Sequence, residues 1–353
     1  MIPRAIHTSI TQVDRAIDRE LDSSLYPLAA ADDEDNYFLT NPPPDYLDEF
    51  VEQAKDFIRY QKNKGRNRVV LVTSGGSTVP LENNTVRFID NFSAGTRGAS
   101  SAEQFLYNGY SVIFLHREFS LTPFNRSFTH DKDVNFLDYF DLEGKVAEPY
   151  RERIMHNKSL YEKYYREEKR LLLLPFTTVN QYLWSLKELA QLMNNEGSLF
   201  YLAAAVSDFF VPSSRMPEHK IQSRDGTTAA NKSNSSVNRQ LVMNLDPVPK
   251  ILRRLVETWA SQAMIVSFKL ETDPKILIKK AKQALDRYNH QLVIGNLLQT
   301  RNKEVVFVTE GNRDGDWIGL DGNPGVQIIE ELIIPWVIKL HDQWLQKQST
   351  LSN

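Results

Sequence analysis

Short runs of apolar residues alternate along the chain with segments that have helical periodicity. Residues 69–73, VVLVT, form an unbroken run of β-branched and aliphatic side chains, which is typical of a strand buried on both faces. Six further segments are predicted to be strands: 111–115, 199–206, 240–245, 264–270, 292–296 and 305–309. Strands that alternate with helices indicate a mostly parallel sheet covered on both faces.

The predicted helices lie between these runs, and several have clear boundary signals. From Asp45, which can act as the N-cap, apolar residues recur at helical spacing as far as Ile58. Asp246-Pro247 and Asp273-Pro274 each combine an N-cap residue with a first-turn proline, and each predicts the start of a helix. The other predicted helices begin near Thr96 or span residues 148–170, 178–194 and 334–347.

The predicted fold class is α/β: a mostly parallel, doubly wound (Rossmann-like) sheet with helices on both faces and a helical insertion. Residues 45–353 are predicted to form one domain. Within it, residues 117–197 interrupt the strand–helix rhythm as a charged helical insertion, and residues 220–239 form a mobile polar loop. Residues 1–44 are acidic and irregular, and are predicted to be a disordered tail.

Composition removes several classes of function. The 353 residues carry a net charge of −3, which gives no electrostatic reason to expect nucleic acid as a partner. The absence of cysteine excludes disulfides, thiolate zinc sites and a cysteine nucleophile. No apolar run reaches the roughly 18 residues of a membrane span, and the N-terminus lacks the apolar core of a signal peptide, so a cytoplasmic location is expected.

Glycine-containing turns follow the first predicted strand and precede the next helix. Gly75-Gly76 comes directly after residues 69–73, and residues 91–95, NFSAG, lead into the helix that begins near Thr96. Together with the following strand they form a βαβ unit, whose free N–H groups at the helix start favour an anion. Neither GxGxxG nor GxxxxGK[ST] is present, so the glycines alone are compatible both with ligand binding and with a tight turn.

Several uncommon words occur in one order: TSGG, VRFIDNFSAGTRG, LAAAVSDF, EHKIQS, VSFKLETD and GNLL. In these words the chain resembles phosphopantothenoylcysteine synthetase (phosphopantothenate–cysteine ligase) of the eukaryotic, stand-alone kind. The resemblance runs from about residue 45 to about residue 340, with insertions. Nothing in the chain resembles the flavoprotein decarboxylase half that bacterial versions carry.

The resemblance implies a ligase of coenzyme A biosynthesis that joins 4′-phosphopantothenate to L-cysteine. The carboxylate would attack the α-phosphorus of ATP, with CTP possible, and release pyrophosphate. The amine of cysteine would then attack the acyl nucleotide and release the nucleoside monophosphate. Mg²⁺ is implied by the triphosphate, a homodimer is implied by the family, and a complex with other coenzyme A enzymes is possible.

The resemblance also implies a role for individual residues. Asn91 would donate to the acyl oxygen. Lys220 is assigned from the residues themselves, because a mobile polar loop that carries a lysine suits a lid over the triphosphate. Asn91 and Lys220 are the catalytic candidates. Arg87 would reach the substrate of the neighbouring subunit. Contacts to phosphopantothenate are implied for Arg87, Asn91, Ala204, Ala205 and Asp208, and contacts to the nucleotide for Gly75, Ser93, Gly95, Gly98, Phe268 and Asn296.

Structural roles compete with these assignments. Asn91 could make only an Asx turn before the helix, Gly98 could serve helix–sheet packing, Phe268 could be a core residue and Arg87 a surface charge. Gly295 stands where alanine is common in the family. The seven histidines form no HExxH or similar pair, so the metal ligands are left unassigned.

Two other functions are compatible with parts of the sequence. An NADP-dependent short-chain reductase would use the glycine turn, His116-Arg117 and the YxxxK word formed by Tyr165 and Lys169, although Glu152 stands where such an enzyme has a serine. The second is a non-catalytic nucleotide-binding module of a coenzyme A enzyme complex. Pyrophosphate release separates a ligase from both.

Overall fold

The computed structural model describes residues 31–129, 133–221 and 243–351. Eight strands form one sheet in the order β12-β11-β10-β9-β6-β1-β4-β5, and β2–β3 and β7–β8 form two small ribbons. In chain order the strands are β1 Val69–Ser74, β2 Thr78–Pro80, β3 Phe88–Asp90, β4 Ser111–Arg117, β5 Leu171–Phe176, β6 Ser198–Leu202, β7 Phe209–Phe210, β8 Asp246–Pro247, β9 Met264–Glu271, β10 Leu292–Leu297, β11 Glu304–Val308 and β12 Asp316–Gly319.

The strand order reverses at β1. The chain first extends the sheet on one side of β1 through β4 and β5, then on the other side through β6, β9 and β10, and all these neighbours are parallel. β11 and β12 complete one edge in antiparallel orientation. Open parallel sheets bind ligands beyond the carboxyl ends of their strands where the order reverses, which here is between β1 and β6.

Helices cover both faces of the sheet. They are α1 Ala31–Thr40, α2 Leu47–Asn63, α3 Thr96–Tyr107, α4 Glu148–Tyr161, α5 Val179–Leu192, α6 Leu252–Arg254, α7 Pro274–Tyr288 and α8 Glu330–Leu351. α4 and α6 each continue into a wider π-helical turn, at Glu162–Glu167 and Leu255–Trp259. Within the three described ranges, no helix combines the length and the apolar character that crossing a bilayer requires.

Hydrophobic cores lie on both faces of the sheet. Phe57 of α2 and Leu186 of α5 share a core with Leu71 of β1, whereas Phe105 of α3 packs with Val72 of the same strand. Successive residues of β1 therefore enter different cores, and the strand is apolar throughout because both faces are covered. This confirms the predicted doubly wound α/β fold.

One strand of the sheet lies where the sequence predicted only a helical insertion. Leu171–Phe176 forms β5, the edge strand next to β4, so the prediction that strands stop over residues 117–197 is wrong. Pro175 makes this strand hard to recognise in the sequence, because proline cannot donate to a ladder. An edge strand tolerates proline, since one of its sides needs no ladder partner.

Part of the predicted disordered tail is a helix. Residues 1–30 lie outside the described ranges, but residues 31–40 form α1, so a disordered tail extending to residue 44 is wrong. Tyr37 is buried, its ring meets Phe210 edge-on with centroids 5.0 Å apart, and its hydroxyl bonds the Asn180 amide oxygen at 3.2 Å. This aromatic anchor, placed among acidic residues, holds the segment on the domain.

Some predicted boundaries also differ from the structure. Asp246–Pro247 is the short strand β8, so the prediction that it opens a helix is wrong; α6 begins at Leu252. Residues 243–245 are not a strand, and residues 240–242 are outside the described ranges. Asp45 does not cap α2, which Tyr46 precedes, whereas Asp273 caps α7 by accepting from the Lys275 amide at 2.9 Å. The predicted loop 220–239 lies almost entirely within the undescribed residues 222–242.

Candidate functional site

The turn after β1 brings three separate segments into contact. The Gly75 carbonyl accepts from the Ala205 amide at 2.8 Å, and Gly75 has a φ of +83°, which glycine adopts without strain. A Cβ on Gly76 would lie 1.5 Å from the carbonyl oxygen of Asn91, so no side chain fits there. The backbones of Gly75-Gly76, Asn91 and Ala205 therefore lie against one another at the point where the strand order reverses.

Asn91 is fixed by its backbone and leaves its side chain available. Its N–H donates to the Ser77 carbonyl at 3.2 Å, while its own carbonyl packs on Gly76. The amide group is half-buried and has no hydrogen-bond partner among residues 31–129, 133–221 and 243–351. An Asx turn would need this side chain to accept from the backbone, and the structure contains no such bond.

Gly95 and Gly98 set the start of α3 close to the end of β1. Gly95, with a φ of +85°, precedes the first helical residue, and its carbonyl accepts from the Ser74 hydroxyl at 3.1 Å. A Cβ on Gly98 would lie 2.4 Å from the Ser74 Cβ, so the close-packing role considered for Gly98 is confirmed. The free N–H groups of α3 thus lie at the carboxyl end of β1, near Ser93, where a phosphate would be favoured.

Phe268 and Asn296 lie on β9 and β10, beyond β6 from the glycine turn. The Phe268 ring meets Tyr201 edge-on at 5.0 Å, and the Arg97 guanidinium lies 5.9 Å from its centroid. Asn296 is buried, and its amide oxygen has no partner in the described part of the chain. A buried, unpaired oxygen is a position at which a ligand or an ordered water is expected to donate.

Arg97 connects these two parts of the site, and the sequence-based prediction missed it. It lies in the first turn of α3, and its guanidinium bonds Glu330 at 2.9 Å and also the Arg301 carbonyl. Burial raises the pKa of Glu330 even though the neighbouring Arg97 charge opposes that effect. The only available signal was the place of Arg97 in the word TRG at the helix start.

Residues 204–208 contact the end of β1 and the glycine turn mainly through backbone atoms. The Ala204 amide donates to the Thr73 hydroxyl at 3.2 Å, and Ala205 pairs with Gly76. The Asp208 side chain is 79% exposed, and Lys250 lies 3.5 Å from it. The structure therefore brings the two alanines to the glycine turn and leaves the Asp208 carboxylate at the surface.

Arg87 and the segment that ends at Ile221 form a second group, at the opposite end of β3 from Asn91. Arg87 donates to Glu82 at 3.0 Å and to the Ile221 carbonyl at 2.9 Å. The Asn83 amide donates to the Pro217 carbonyl at 2.9 Å, which fastens the segment that contains Lys220 to the hairpin. Arg87 therefore contacts this segment and not the Asn91 region of its own chain.

Glu82 is the buried centre of this second group. It is fully buried, and its carboxylate accepts from the amides of Arg87 at 3.0 Å and Ile221 at 3.4 Å. Burial alone raises the pKa of Glu82, but these backbone donors and the Arg87 side chain outweigh burial and hold the pKa below its ordinary value. Glu82 is therefore a carboxylate at neutral pH and holds Arg87 in place.

The β2–β3 hairpin and the loop after it expose apolar side chains around Arg87. Phe88 is 50% exposed and Phe92 is 88% exposed, and Val86 and Ile89 are also on the surface. Clustered apolar side chains of this kind mark a candidate surface for another protein chain. No group of three His, Asp or Glu side chains that could hold a metal ion occurs in the described residues.

The YxxxK word lies at the wrong edge of the sheet for a reductase. Tyr165 and Lys169 precede β5, and Arg170 donates to the Leu106 carbonyl at 2.7 Å, at the amino ends of the strands. The glycine turn follows the carboxyl end of β1. It is therefore separated from the amino ends of the strands by the length of this six-residue strand, or about 20 Å. Tyr165 and Lys169 therefore cannot act on a ligand at that turn.

Three comparisons with known proteins agree with one another. A family model described as the DNA/pantothenate metabolism flavoprotein C-terminal domain matches residues 185–314. The phosphopantothenate–cysteine ligase CAB2 of Saccharomyces cerevisiae is 64% identical over 351 residues, which cover 98% of this chain and 96% of that protein. The Homo sapiens phosphopantothenate–cysteine ligase is 41% identical over 300 residues, covering 83% and 92%.

A solved structure extends the comparison to the fold. A Cab2 variant in complex with phosphopantothenate-cysteine matches with a TM-score of 0.84 at 65% sequence identity. The match covers 90% of this chain and 100% of that chain. Most of this chain therefore shares the fold of that variant.

Proposed function

The chain belongs to the phosphopantothenate–cysteine ligase family, and from this premise we propose how its own residues carry the reaction. It is a ligase of coenzyme A biosynthesis that joins 4′-phosphopantothenate to L-cysteine through an amide bond. A carboxylate oxygen is a poor leaving group in water, so the carboxylate must first be activated. The activating group is the nucleotidyl part of a nucleoside triphosphate.

The reaction has two steps and needs no protein nucleophile. A carboxylate oxygen of phosphopantothenate attacks the α-phosphorus, pyrophosphate leaves, and an acyl nucleotide forms. The cysteine nitrogen then attacks the acyl carbon and loses a proton, and the nucleoside monophosphate leaves with the former carboxylate oxygen. The protein contributes position, exclusion of water, and donors to an oxygen that gains negative charge.

The arrangement of Asn91 at the glycine turn carries this proposal. Its backbone is fixed on Gly76 and Ser77, and its amide group has no partner within the described ranges. A fixed amide donor with no competing bond suits an acyl oxygen that becomes more negative in the transition state, because no reorganisation is needed. Ala204 and Ala205, which carry only methyl groups, allow phosphopantothenate to lie against the same turn, with Asp208 at the rim.

The nucleotide is proposed to lie between the start of α3 and β9. Gly75, Ser93, Gly95 and the first N–H groups of α3 face its phosphates, and Phe268 packs on its base or ribose, with Asn296 beside it. ATP is the proposed nucleotide, with CTP as the alternative. Mg²⁺ would neutralise the triphosphate and bind mainly through phosphate oxygens; we assign it no ligand from the chain.

The enzyme is proposed to be a homodimer in which Arg87 serves the site of the partner subunit. The exposed apolar side chains around Arg87 support such an interface, and Glu82 fixes the guanidinium there. Lys220 lies in the segment that is fastened to the same hairpin, two residues before the undescribed residues 222–242, and is proposed to cover the triphosphate.

The role of Asn91 is tested by pyrophosphate release with purified protein, phosphopantothenate and ATP or CTP, with and without cysteine. Asn91→Ala is expected to lower turnover by about 10²–10³ because one oxyanion donor is lost. Asn108→Ala, on an exposed residue at the end of α3, is the matched control. Wild-type turnover of Asn91→Ala would remove this residue from the mechanism.

The role of Arg87 is tested by mixing two inactive variants. A dimer of one Arg87→Ala subunit and one Asn91→Ala subunit contains one complete site if arginine acts across the interface. Random mixing should then restore about a quarter of wild-type activity, since half the dimers are mixed and each has one intact site. Absence of any recovery, with mixed dimers demonstrated by differential tags, would place Arg87 in its own subunit's site.

A further inference from the structure

Arg117 and Asp90 form an ion pair across the glycine turn. Arg117 is the last residue of β4, directly beside Gly75 in the sheet because Ser74 pairs with His116. A Cβ on Gly75 would lie 2.7 Å from the Arg117 Cβ, so the two residues are in close contact. The Arg117 Nη1 donates to the Asp90 Oδ1 at 2.5 Å.

This pair joins two elements that the backbone leaves separate. Arg117 belongs to the central sheet, whereas Asp90 ends β3, whose ladder partner is β2 of the small hairpin. Asp90 is followed by Asn91. The ion pair is partly shielded, since the Arg117 side chain is 20% exposed, so its geometry is better defined than that of a fully solvated pair.

We propose that the Arg117–Asp90 pair is a positioning device that holds the Asn91 amide at the acyl oxygen. Asn91 is then fixed from both sides: its carbonyl and N–H rest on Gly76 and Ser77, and the side chain of its preceding residue is tied to β4. A displacement of about 1 Å at a reacting group can cost about 10²-fold in rate. The pair would act through Asn91 and would not itself touch the reacting atoms.

An alternative role for Arg117 is direct binding of a substrate phosphate, because its charge lies at the rim of the same turn. The two roles differ in what Asp90 does. If the pair positions Asn91, loss of Asp90 is as harmful as loss of Arg117. If Arg117 binds phosphate, loss of Asp90 frees the guanidinium and leaves substrate affinity intact or improved.

The inference rests on the proposed role of Asn91. One set of variants distinguishes failure of the Arg117–Asp90 inference from failure of the Asn91 role. Arg117→Ala, Asp90→Asn, the double variant, Asn91→Ala and the exchange Arg117→Asp with Asp90→Arg are assayed by pyrophosphate release. Arg313→Ala is the matched control, because it breaks a comparable 2.6 Å pair with Asp286 on α7, far from the turn. Thermal unfolding of every variant separates folding defects from kinetic ones.

Both single variants are expected to lower kcat by about 10–100-fold while KM for each substrate stays within about twofold. The double variant should be no slower than the singles, and the exchanged pair should recover part of the loss. Wild-type kcat in Asp90→Asn beside a slow Asn91→Ala would overturn the inference and leave the Asn91 role standing. A raised KM confined to Arg117→Ala would likewise overturn it in favour of phosphate binding. Wild-type turnover of Asn91→Ala would remove Asn91 from the mechanism and this inference with it, while the ligase reaction itself would stand.

Discussion

Ser74 of β1 occupies the space that the missing side chain of Gly98 in α3 leaves open. A Cβ on Gly98 would lie 2.4 Å from both the Cβ and the Oγ of Ser74, and the same hydroxyl donates to the Gly95 carbonyl. The helix start and the strand end are therefore in direct contact. This contact fixes where the N–H groups proposed to face the nucleotide phosphates lie.

Gly98→Ala is therefore expected to displace the start of α3. Alanine favours a helix by about 1 kcal/mol over glycine, but overpacking against Ser74 costs about 1–3 kcal/mol, so a small net loss of stability is expected. The larger effect should be a raised KM for the nucleotide. Urea unfolding and initial rates measure the two.

Gly311→Ala is the control for that substitution, because nothing lies within 4 Å of a Cβ at Gly311. It should leave both the free energy of unfolding and KM at their wild-type values. If Gly98→Ala also kept a wild-type KM, the close contact between α3 and β1 would have no bearing on nucleotide binding.

Phe268→Leu is expected to weaken nucleotide binding while the fold survives. The ring is partly buried between Tyr201 and Arg97, and an aromatic contact is worth about 0.5–1.5 kcal/mol beyond its buried area. KM for the nucleotide should rise up to about tenfold, and Phe268→Tyr should retain most of the affinity.

Phe307→Leu is the matched comparison, since Phe307 is fully buried in the same core, on β11. It should lower the free energy of unfolding without changing KM. Equal behaviour of the two leucine variants would mean that Phe268 is only a core residue.

His290 is expected to make stability fall in mild acid. Burial lowers its pKa from 6.5 to about 4, and its Nε2 lies 2.7 Å from the Ser267 hydroxyl. Above pH 6.5 the residue is neutral in both states. Between pH 6.5 and 4 the unfolded chain binds a proton that the folded chain does not, so stability falls by roughly 3 kcal/mol over this window.

Urea unfolding at several pH values checks this expectation. His290→Gln should flatten the slope of stability against pH between 6.5 and 4, although a residual slope remains because burial also lowers the pKa of His341. His156→Gln, on the exposed face of α4, is the control. An unchanged slope in His290→Gln would show that this residue does not carry the effect.

Tyr110→Phe is expected to destabilise the fold without affecting the reaction. The Tyr110 hydroxyl lies 2.7 Å from His341 Nδ1, both residues are buried, and the pair lies at the amino ends of the strands. Removing the hydroxyl leaves the ring nitrogen unpaired and should cost about 1–3 kcal/mol. Tyr107→Phe, on a more exposed tyrosine of α3, should cost less, and a change in kcat for Tyr110→Phe would contradict this separation.

The sequence was most informative where a residue type had a single physical explanation. The apolar run of β1 and the glycines after it predicted a parallel sheet with a ligand site at its rim, and the structure has both the sheet and the close backbone contacts at Gly76. β5 was not predicted because Pro175 makes an edge strand hard to recognise. α1 was not predicted because the segment around Tyr37 is rich in acidic residues.

Other features of the site depend on pairings between distant residues. Two ion pairs, Arg97 with Glu330 and Arg117 with Asp90, could not be predicted from the sequence. Each residue is an ordinary charged residue there, and only the folded chain brings the partners together. The structure also excludes the Asx turn considered for Asn91, because its side chain does not accept the backbone hydrogen bond that such a turn requires. In the structure the Asp208 side chain is exposed, whereas Ala204 and Ala205 are partly buried. The hydrophobic pattern of the sequence did not reveal this difference.

Glu82 receives hydrogen bonds from the hairpin that is proposed to meet the partner subunit and from Ile221, the last residue of the described range 133–221. One carboxylate therefore anchors both the quaternary contact and the approach to Lys220. We expect dilution that separates the subunits to speed hydrogen exchange at the Ile221 amide at the same time, because the same carboxylate holds both contacts.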